Sequence, residues 1–328
     1  MPNYSQVEPK PFFWIALEGS PQKTAPPGHG RFRDLSGLME LEIEVLSDYL
    51  YVGSGQLELR SIQGREQVFY AFARQNGTLI IPGTSIKGAI RSVVEALSNS
   101  CVRIKARNER VPNRAHEGCE YKEKEGGILC PACGLFGTTG YRGRVHFADA
   151  MPLGEVRTEI IKIADLWPPR QTRQIRGRKF YQSKSFKKLD LRPAKNHRFL
   201  ETVPKGVRFQ TTLFFENLQE KELGLLGRAL GLDMHPEDPQ RVVFAFPVKL
   251  GGAKPRCLGG VRFIPQHIRL LGEGSDLFSS LLNGGSSSEV KSLLARCLAH
   301  RELLDQEAWE HFRQEARLKN DPCPREVY

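Results

Sequence analysis

The stretch Ile80–Ser92, IIPGTSIKGAIRS, sets a short apolar run against a Pro-Gly turn and then a helix start. Ser and Thr at a helix start satisfy backbone N–H groups that lack partners inside the helix, so Thr84 and Ser85 are read as opening a helix that reaches about Asn99. Ile86, Ala89, Ile90, Val93, Val94 and Leu97 recur at helical spacing and give it one apolar side. Ser85, Lys87 and Arg91 lie on the first turns, a placement suited to holding phosphate.

On the N-terminal side, Leu41, Ile43 and Val45 alternate with polar residues within 38–52, the period of a half-buried strand. Residues 56–77 read as a long loop or ragged hairpin, turned by Asn76-Gly77, and residues 1–37 as an irregular arm. On the C-terminal side, strands are expected at 144–150, 155–165, 206–216, 241–250 and 260–264, with a helix at 220–232. Residues 288–318 read as one helix or a pair. The order strand, helix, strand, strand, helix, strand fits a ferredoxin-like split βαβ core, the layout of RNA recognition motifs, so the expected class is α+β. Insertions at 101–140 and 166–204 interrupt it.

A net charge of +11 and a pI near 9.4 point to an anionic partner, nucleic acid before membrane surface. No apolar run reaches the roughly 18 residues of a spanning helix. The opening residues lack the basic start and apolar core of a secretory signal, so a cytoplasmic location is expected.

Seven cysteines, an odd number, argue against a disulfide framework. Cys257, Cys297 and Cys323 are scattered, whereas Cys101, Cys119, Cys130 and Cys133 cluster. Cys130-Pro-Ala-Cys133 presents two thiolates together, and zinc favours four soft ligands in a tetrahedron. The fourth ligand is Cys101 or His116. A redox pair is the competing reading; such pairs usually open a helix, whereas this one is expected in a charged loop. Structural Zn2+ would give a long, apolar-poor insertion something to fold around.

Between Lys162 and Lys205 there are 13 Lys or Arg against three acids, interleaved with Trp167, Phe180, Tyr181 and Phe186. Cations attract phosphates and aromatic faces stack on bases, the combination expected at a single-strand contact; Arg173, Arg176, Arg178 and Lys179 are its centre. The loop Gly251-Gly252-Ala253-Lys254-Pro255-Arg256 lets backbone approach a ligand closely and adds Lys254 and Arg256. No phosphate-loop, zinc-protease or nucleophile-elbow motif is present.

Together IPGTSIKGAIRS, LCPACGLFG followed by RVHFADA, and the late GGAKPRCLGG resemble the RAMP superfamily of CRISPR-associated proteins, most closely the backbone subunits of type III effector complexes. PFFWIALEG and SGLMELEIEVLSDYLYVGSG are also similar to such proteins, and the resemblance covers most of residues 36–264. It implies a modified ferredoxin-like, RRM-like fold: an arm over 1–37, a palm over 38–264 carrying the Cys-rich insertion and a thumb at 162–204, and a helical segment over 265–328. It implies that copies stack along a guide RNA, that the thumb kinks the guide–target duplex, and that other effector subunits are partners in antiviral defence. By position, Ser85, Lys87 and Arg91 would hold guide phosphates, with Gly251, Gly252, Lys254 and Arg256 lining the same groove.

Backbone subunits that cut target RNA with Mg2+ carry an Asp in the loop before the helix. Residues 53–83 contain none. Glu58 and Glu66 are the carboxylates there, and Asp34 and Asp48 are the others within reach of it, so a guide-RNA-binding role is expected ahead of a metal-dependent endoribonuclease. A free-standing zinc-containing RNA-binding module is the third reading.

Overall fold

The computed structural model describes residues 10–62, 64–103, 109–122, 126–165, 174–175, 177–271, 286–288 and 290–324. In chain order its main elements begin with β1 (Phe12–Ala16), β2 (Leu35–Val45), β3 (Gly53–Ile62), β4 (Arg65–Phe72), α1 (Gly83–Leu97) and α2 (Pro131–Phe136). Next come β5 (Val145–Phe147), β6 (Glu159–Ala164), β7 (Gly177–Tyr181), β8 (Ser183–Ser185), β9 (His197–Pro204) and β10 (Arg208–Leu218). The chain then forms α3 (Glu220–Ala229), β11 (Gly260–Leu270), α4 (Val290–Ala299), α5 (Gln306–Glu315) and β12 (Leu318–Pro322).

The central sheet runs β11-β2-β10-β5, with every neighbouring pair antiparallel. Numbered within the βαββαβ unit, this is the order 4-1-3-2 of a ferredoxin-like fold. The alternation of β2 explains its central place. Met39, Leu41, Ile43 and Val45 are fully buried and share one core with Ile86, Ile90, Val93 and Val94 of α1 and Leu223 and Leu226 of α3. Each such side chain contributes about 1.5–3 kcal/mol on burial. Glu40, Glu42 and Glu44 point to the opposite face, where Arg269, Arg208 and Arg262 pair with them across strands.

A second sheet, β6-β9-β4-β3, decides between the two readings of 56–77 in favour of the hairpin and takes the 155–165 strand out of the central sheet. β3 and β4 form a hairpin whose register shifts between Gly53 and Leu57, and β4 lies parallel to β9, with Phe69 opposite Phe199 and Tyr70 opposite Leu200. The hairpin leaves no clear alternation in sequence because β3 is an edge whose Leu57 and Leu59 are exposed, while β4 ends in an apolar run. Its pairing partner lies about 130 residues away, beyond any local pattern.

The arm also contains a regular element, since β1 pairs with β7 in a two-stranded ribbon. The C-terminal region folds as the pair α4 and α5, whose Trp309 and Phe312 pack on Phe246. Cys257 and Cys323, scattered in sequence, are joined by a disulfide that ties the glycine-rich loop to the end of β12. The odd cysteine count hid this pair, because one residue of the chain's seven remains alone as the buried Cys297.

Candidate functional site

The start of α1 is capped from a distance. Pro82, not Thr84 or Ser85, occupies the N-cap position and has no capping side chain. Instead the Asp149 carboxylate accepts a hydrogen bond of 2.7 Å from the Gly83 N–H. Gly83 allows this approach, since a Cβ there would sit 2.1 Å from the Phe147 carbonyl oxygen. An acid at this end satisfies the helix dipole and opposes phosphate, so any phosphate site moves from the helix tip to its flank. On that flank Thr84, Gly88 and Ser92 are exposed, and Ser85 and Lys87 are half-buried. Burial, and then the neighbouring Arg91 charge, hold the Lys87 ammonium below its usual pKa.

Beside this flank lies a cavity of about 110 Å³, walled in part by Phe312 and Ala316 of the C-terminal region, to which three further parts of the fold contribute. Helix α1 supplies Ala89, Ser92 and Val93, the ribbon Lys179 and Tyr181, and the glycine-rich region Lys249 and Lys254. Burial lowers the pKa of all three lysines, most for Lys249, which Lys254 lowers further and which donates to the Cys257 and Leu258 carbonyls at 2.8 and 2.9 Å. Among the described residues no carboxylate contributes to these shifts. The cavity therefore brings three half-buried lysines together beside α1.

The glycines of this loop serve packing. Gly251 has φ +79° and a Cβ there would fall 2.1 Å from the Tyr51 carbonyl oxygen, while the Gly252 N–H donates to that same oxygen at 2.8 Å. Arg256 is buried and donates to the Ala164, Asp165 and Pro324 carbonyls.

The four cysteines converge. Their sulfurs all lie within 4.8 Å of one another, with Cys101 3.5 Å from Cys133 and 3.6 Å from Cys130. Tetrahedral thiolate–zinc bonds of about 2.3 Å place sulfurs about 3.8 Å apart, so the donor set fits Zn2+. Cys130 is the N-cap of α2, so the pair does open a short helix, against the loop expected for it; what favours metal is the convergence of four sulfurs rather than two. Hydrogen bonds with Cys101, then Cys119 and Cys133, hold Cys130 well below the ordinary thiol range; those with Cys101 and Cys133 bring Cys119 down to about 7 against the opposing effect of Cys130, while Cys101 is pushed above that range. His116 is outside the cluster, hydrogen-bonded to Asn99 at 2.9 Å.

Two arginines supply positive charge around these sulfurs. Arg91 donates to Cys133 Sγ at 3.4 Å, to the Gly137 carbonyl at 2.9 Å and to Glu95 at 2.8 Å. Arg178 donates to the Ser100 and Cys101 carbonyls. Such contacts orient metal ligands and offset the net negative charge of a tetrathiolate site.

The family model described as RAMP superfamily matches residues 42–253, from the central strand through α1 and the cysteine cluster to the glycine-rich loop. The chain belongs to the RAMP superfamily. No curated protein matches this RAMP chain in sequence. Among solved structures, a chain of a Type IV-B CRISPR complex is similar at 19% identity over 70% of this chain and 90% of that one, with a TM-score of 0.36.

Other positions in this RAMP protein fall apart from the cavity. Arg173 and Arg176 lie outside the described residues. Glu58 and Glu66 sit on opposite faces of the β3–β4 hairpin, following from their registers with Phe69 and Ser61. Asp34 borders a separate cavity of about 300 Å³ beside Cys130 and Arg144, and Asp48 accepts the Phe186 N–H at 2.6 Å. Sequence reasoning missed Asp149 and Lys249. Asp149 was visible only as the acid within HFADA, and Lys249 as a lone cation in an apolar strand.

Proposed function

We propose that this RAMP protein is a guide-RNA-binding subunit of a CRISPR effector complex, of the backbone kind found in type III systems, acting in antiviral defence. The observation that carries the reading is the cavity where Lys179, Lys249 and Lys254 meet the exposed flank of α1. Anionic phosphates restore the charge balance that burial denies these lysines, and Ser85 and Lys87 extend the same strip along the helix. Zn2+ held by Cys101, Cys119, Cys130 and Cys133 supports the insertion behind α1, with Arg91 and Arg178 engaged there. Guide RNA, complementary target RNA and other effector subunits are the proposed partners. The role is holding RNA ahead of cutting it: Glu58 and Glu66 lie on opposite faces of one hairpin, and Asp34 and Asp48 in two separate bends.

The test is binding of guide-length single-stranded RNA across a salt series. Lys87→Ala and Lys254→Ala are expected to weaken binding and to flatten the salt dependence by about 0.7 per phosphate contact removed. Unchanged slopes in both variants reject the groove. Loss of target-RNA cutting in an assembled complex on Glu66→Ala or Asp34→Ala, with binding kept, rejects the holding-only role.

A further inference from the structure

The ribbon of β1 and β7 is amphipathic in the manner its two-residue period requires. Phe13 and Ile15 turn inward, and Phe13 packs on Phe180 and Phe312. The alternate residues turn outward, with Phe12 paired opposite Tyr181 and Trp14 opposite Lys179. The outward face therefore carries three rings and one ammonium. Lys179 Nζ stands 4.1 Å from the Phe12 ring centre, 5.3 Å from Tyr181 and 6.0 Å from Trp14, and Trp14 is 45% exposed. Trp14 thus leaves its indole open on a strand, among other rings and beside a cation.

From the outward face of this ribbon, where Phe12, Trp14 and Tyr181 surround Lys179, we infer a stacking platform for unpaired nucleobases of single-stranded RNA. The inference rests on the RNA-binding reading and extends it from phosphates to bases. Two placements support it. Lys179 and Tyr181 also line the lysine cavity, so the platform continues the phosphate strip without a break. On the far side, Trp14 borders a cavity of about 260 Å³ with Glu18, Asp305 and Glu307. Those carboxylates repel the sugar–phosphate backbone, so the track ends at Trp14 with a base on the ring rather than running past it. Aromatic side chains accept any base this way, because every base presents a π face.

The experiment compares two probes on the full chain: a 12-nucleotide single-stranded oligoadenylate and an abasic ribose–phosphate oligomer of the same length. Trp14→Leu is expected to weaken oligoadenylate binding about tenfold and to leave the abasic oligomer unchanged, while Trp14→Phe restores most of the loss. Lys254→Ala is expected to weaken both probes equally. Photocrosslinking of the oligoadenylate is expected at Phe12, Trp14 or Tyr181. If Trp14→Leu binds oligoadenylate like the wild type while Lys254→Ala weakens both probes, the platform is overturned and the phosphate groove stands. If the wild-type chain binds neither probe, both readings fall. If Trp14→Leu weakens the two probes alike, the indole acts through the fold and the platform is overturned.

Discussion

Replacing Asp149 with Ala removes the side-chain hydrogen bond that, among the described residues, caps α1 from outside the helix. The cap bond is 2.7 Å long and made by an ionised acceptor, and no side chain at Pro82 replaces it. Loss of an N-cap costs about 0.5–2 kcal/mol, and loss of a negative charge at a helix N-terminus about 0.3–1 kcal/mol at an exposed position. Because the two overlap, the expected total is about 1–2 kcal/mol, or about 2 °C in Tm for a chain of this size. Asp149→Asn keeps an acceptor and loses the charge, so it is expected to cost about half as much. Urea midpoints of the two variants and the wild type provide the measure. An Asp149→Ala protein within about 0.3 kcal/mol of wild type refutes the cap, since that is below the range of such contacts. The same acid opposes phosphate on the adjoining flank, so Asp149→Asn is also expected to tighten single-stranded RNA binding about two- to fivefold at low salt.

Zinc content measured on gently purified protein is expected at about one per chain, and Cys133→Ser or a strong chelator is expected to remove it with broad loss of stability, because binding and folding free energy are shared at such sites. Wild-type protein without bound metal counts against the cluster. Arg144 is buried, donates to the Gly134 and Asn217 carbonyls at 2.9 and 2.6 Å and pairs with Glu222, so Arg144→Met is expected to destabilise by about 3–5 kcal/mol in urea unfolding. A cost under about 1 kcal/mol refutes that role. Glu201 has its pKa held below 4.5: burial, the largest influence, raises it, and hydrogen bonds from Arg74, the Phe72 N–H and Thr158 together lower it by more. A depressed carboxyl stabilises the fold above pH 4.5, and that contribution is lost as pH falls through the folded pKa. Glu201→Gln is therefore expected to flatten the acid limb of the stability profile below about pH 4.5, and a limb parallel to wild type refutes it.

What could be read from the chain was what repeats locally. The alternation of β2 and the helical spacing of α1 each bury one face, so periodicity revealed both. The β3–β4 hairpin was legible only as one of two readings, because its outer strand faces solvent and its inner strand pairs with β9, far along the chain. Asp149 was hidden for a related reason, acting on Gly83 across 66 residues. Spacing alone also left two partners for the zinc-type pair, and the fold selects Cys101 because His116 turns to Asn99.

Charge shows a division that composition conceals. A guanidinium carries several donors in a fixed fork and can satisfy interior carbonyls without a carboxylate, whereas an ammonium is a point charge on a flexible stem. Arg256 and Arg178 use that fork on backbone carbonyls, and Arg91 spreads its donors over a sulfur, a carbonyl and Glu95. Lys179 and Lys254 instead border the open cavity, and Lys87 stands beside it on the helix flank. Arginines thus hold the frame around the cysteines and the glycine-rich loop, as Lys249 also does through the Cys257 and Leu258 carbonyls, whereas Lys179 and Lys254 border the cavity. Under the proposed RNA-binding role, Lys→Arg exchange at position 254 preserves the charge but crowds a cavity of about 110 Å³, so it is expected to weaken RNA binding although the sign is kept.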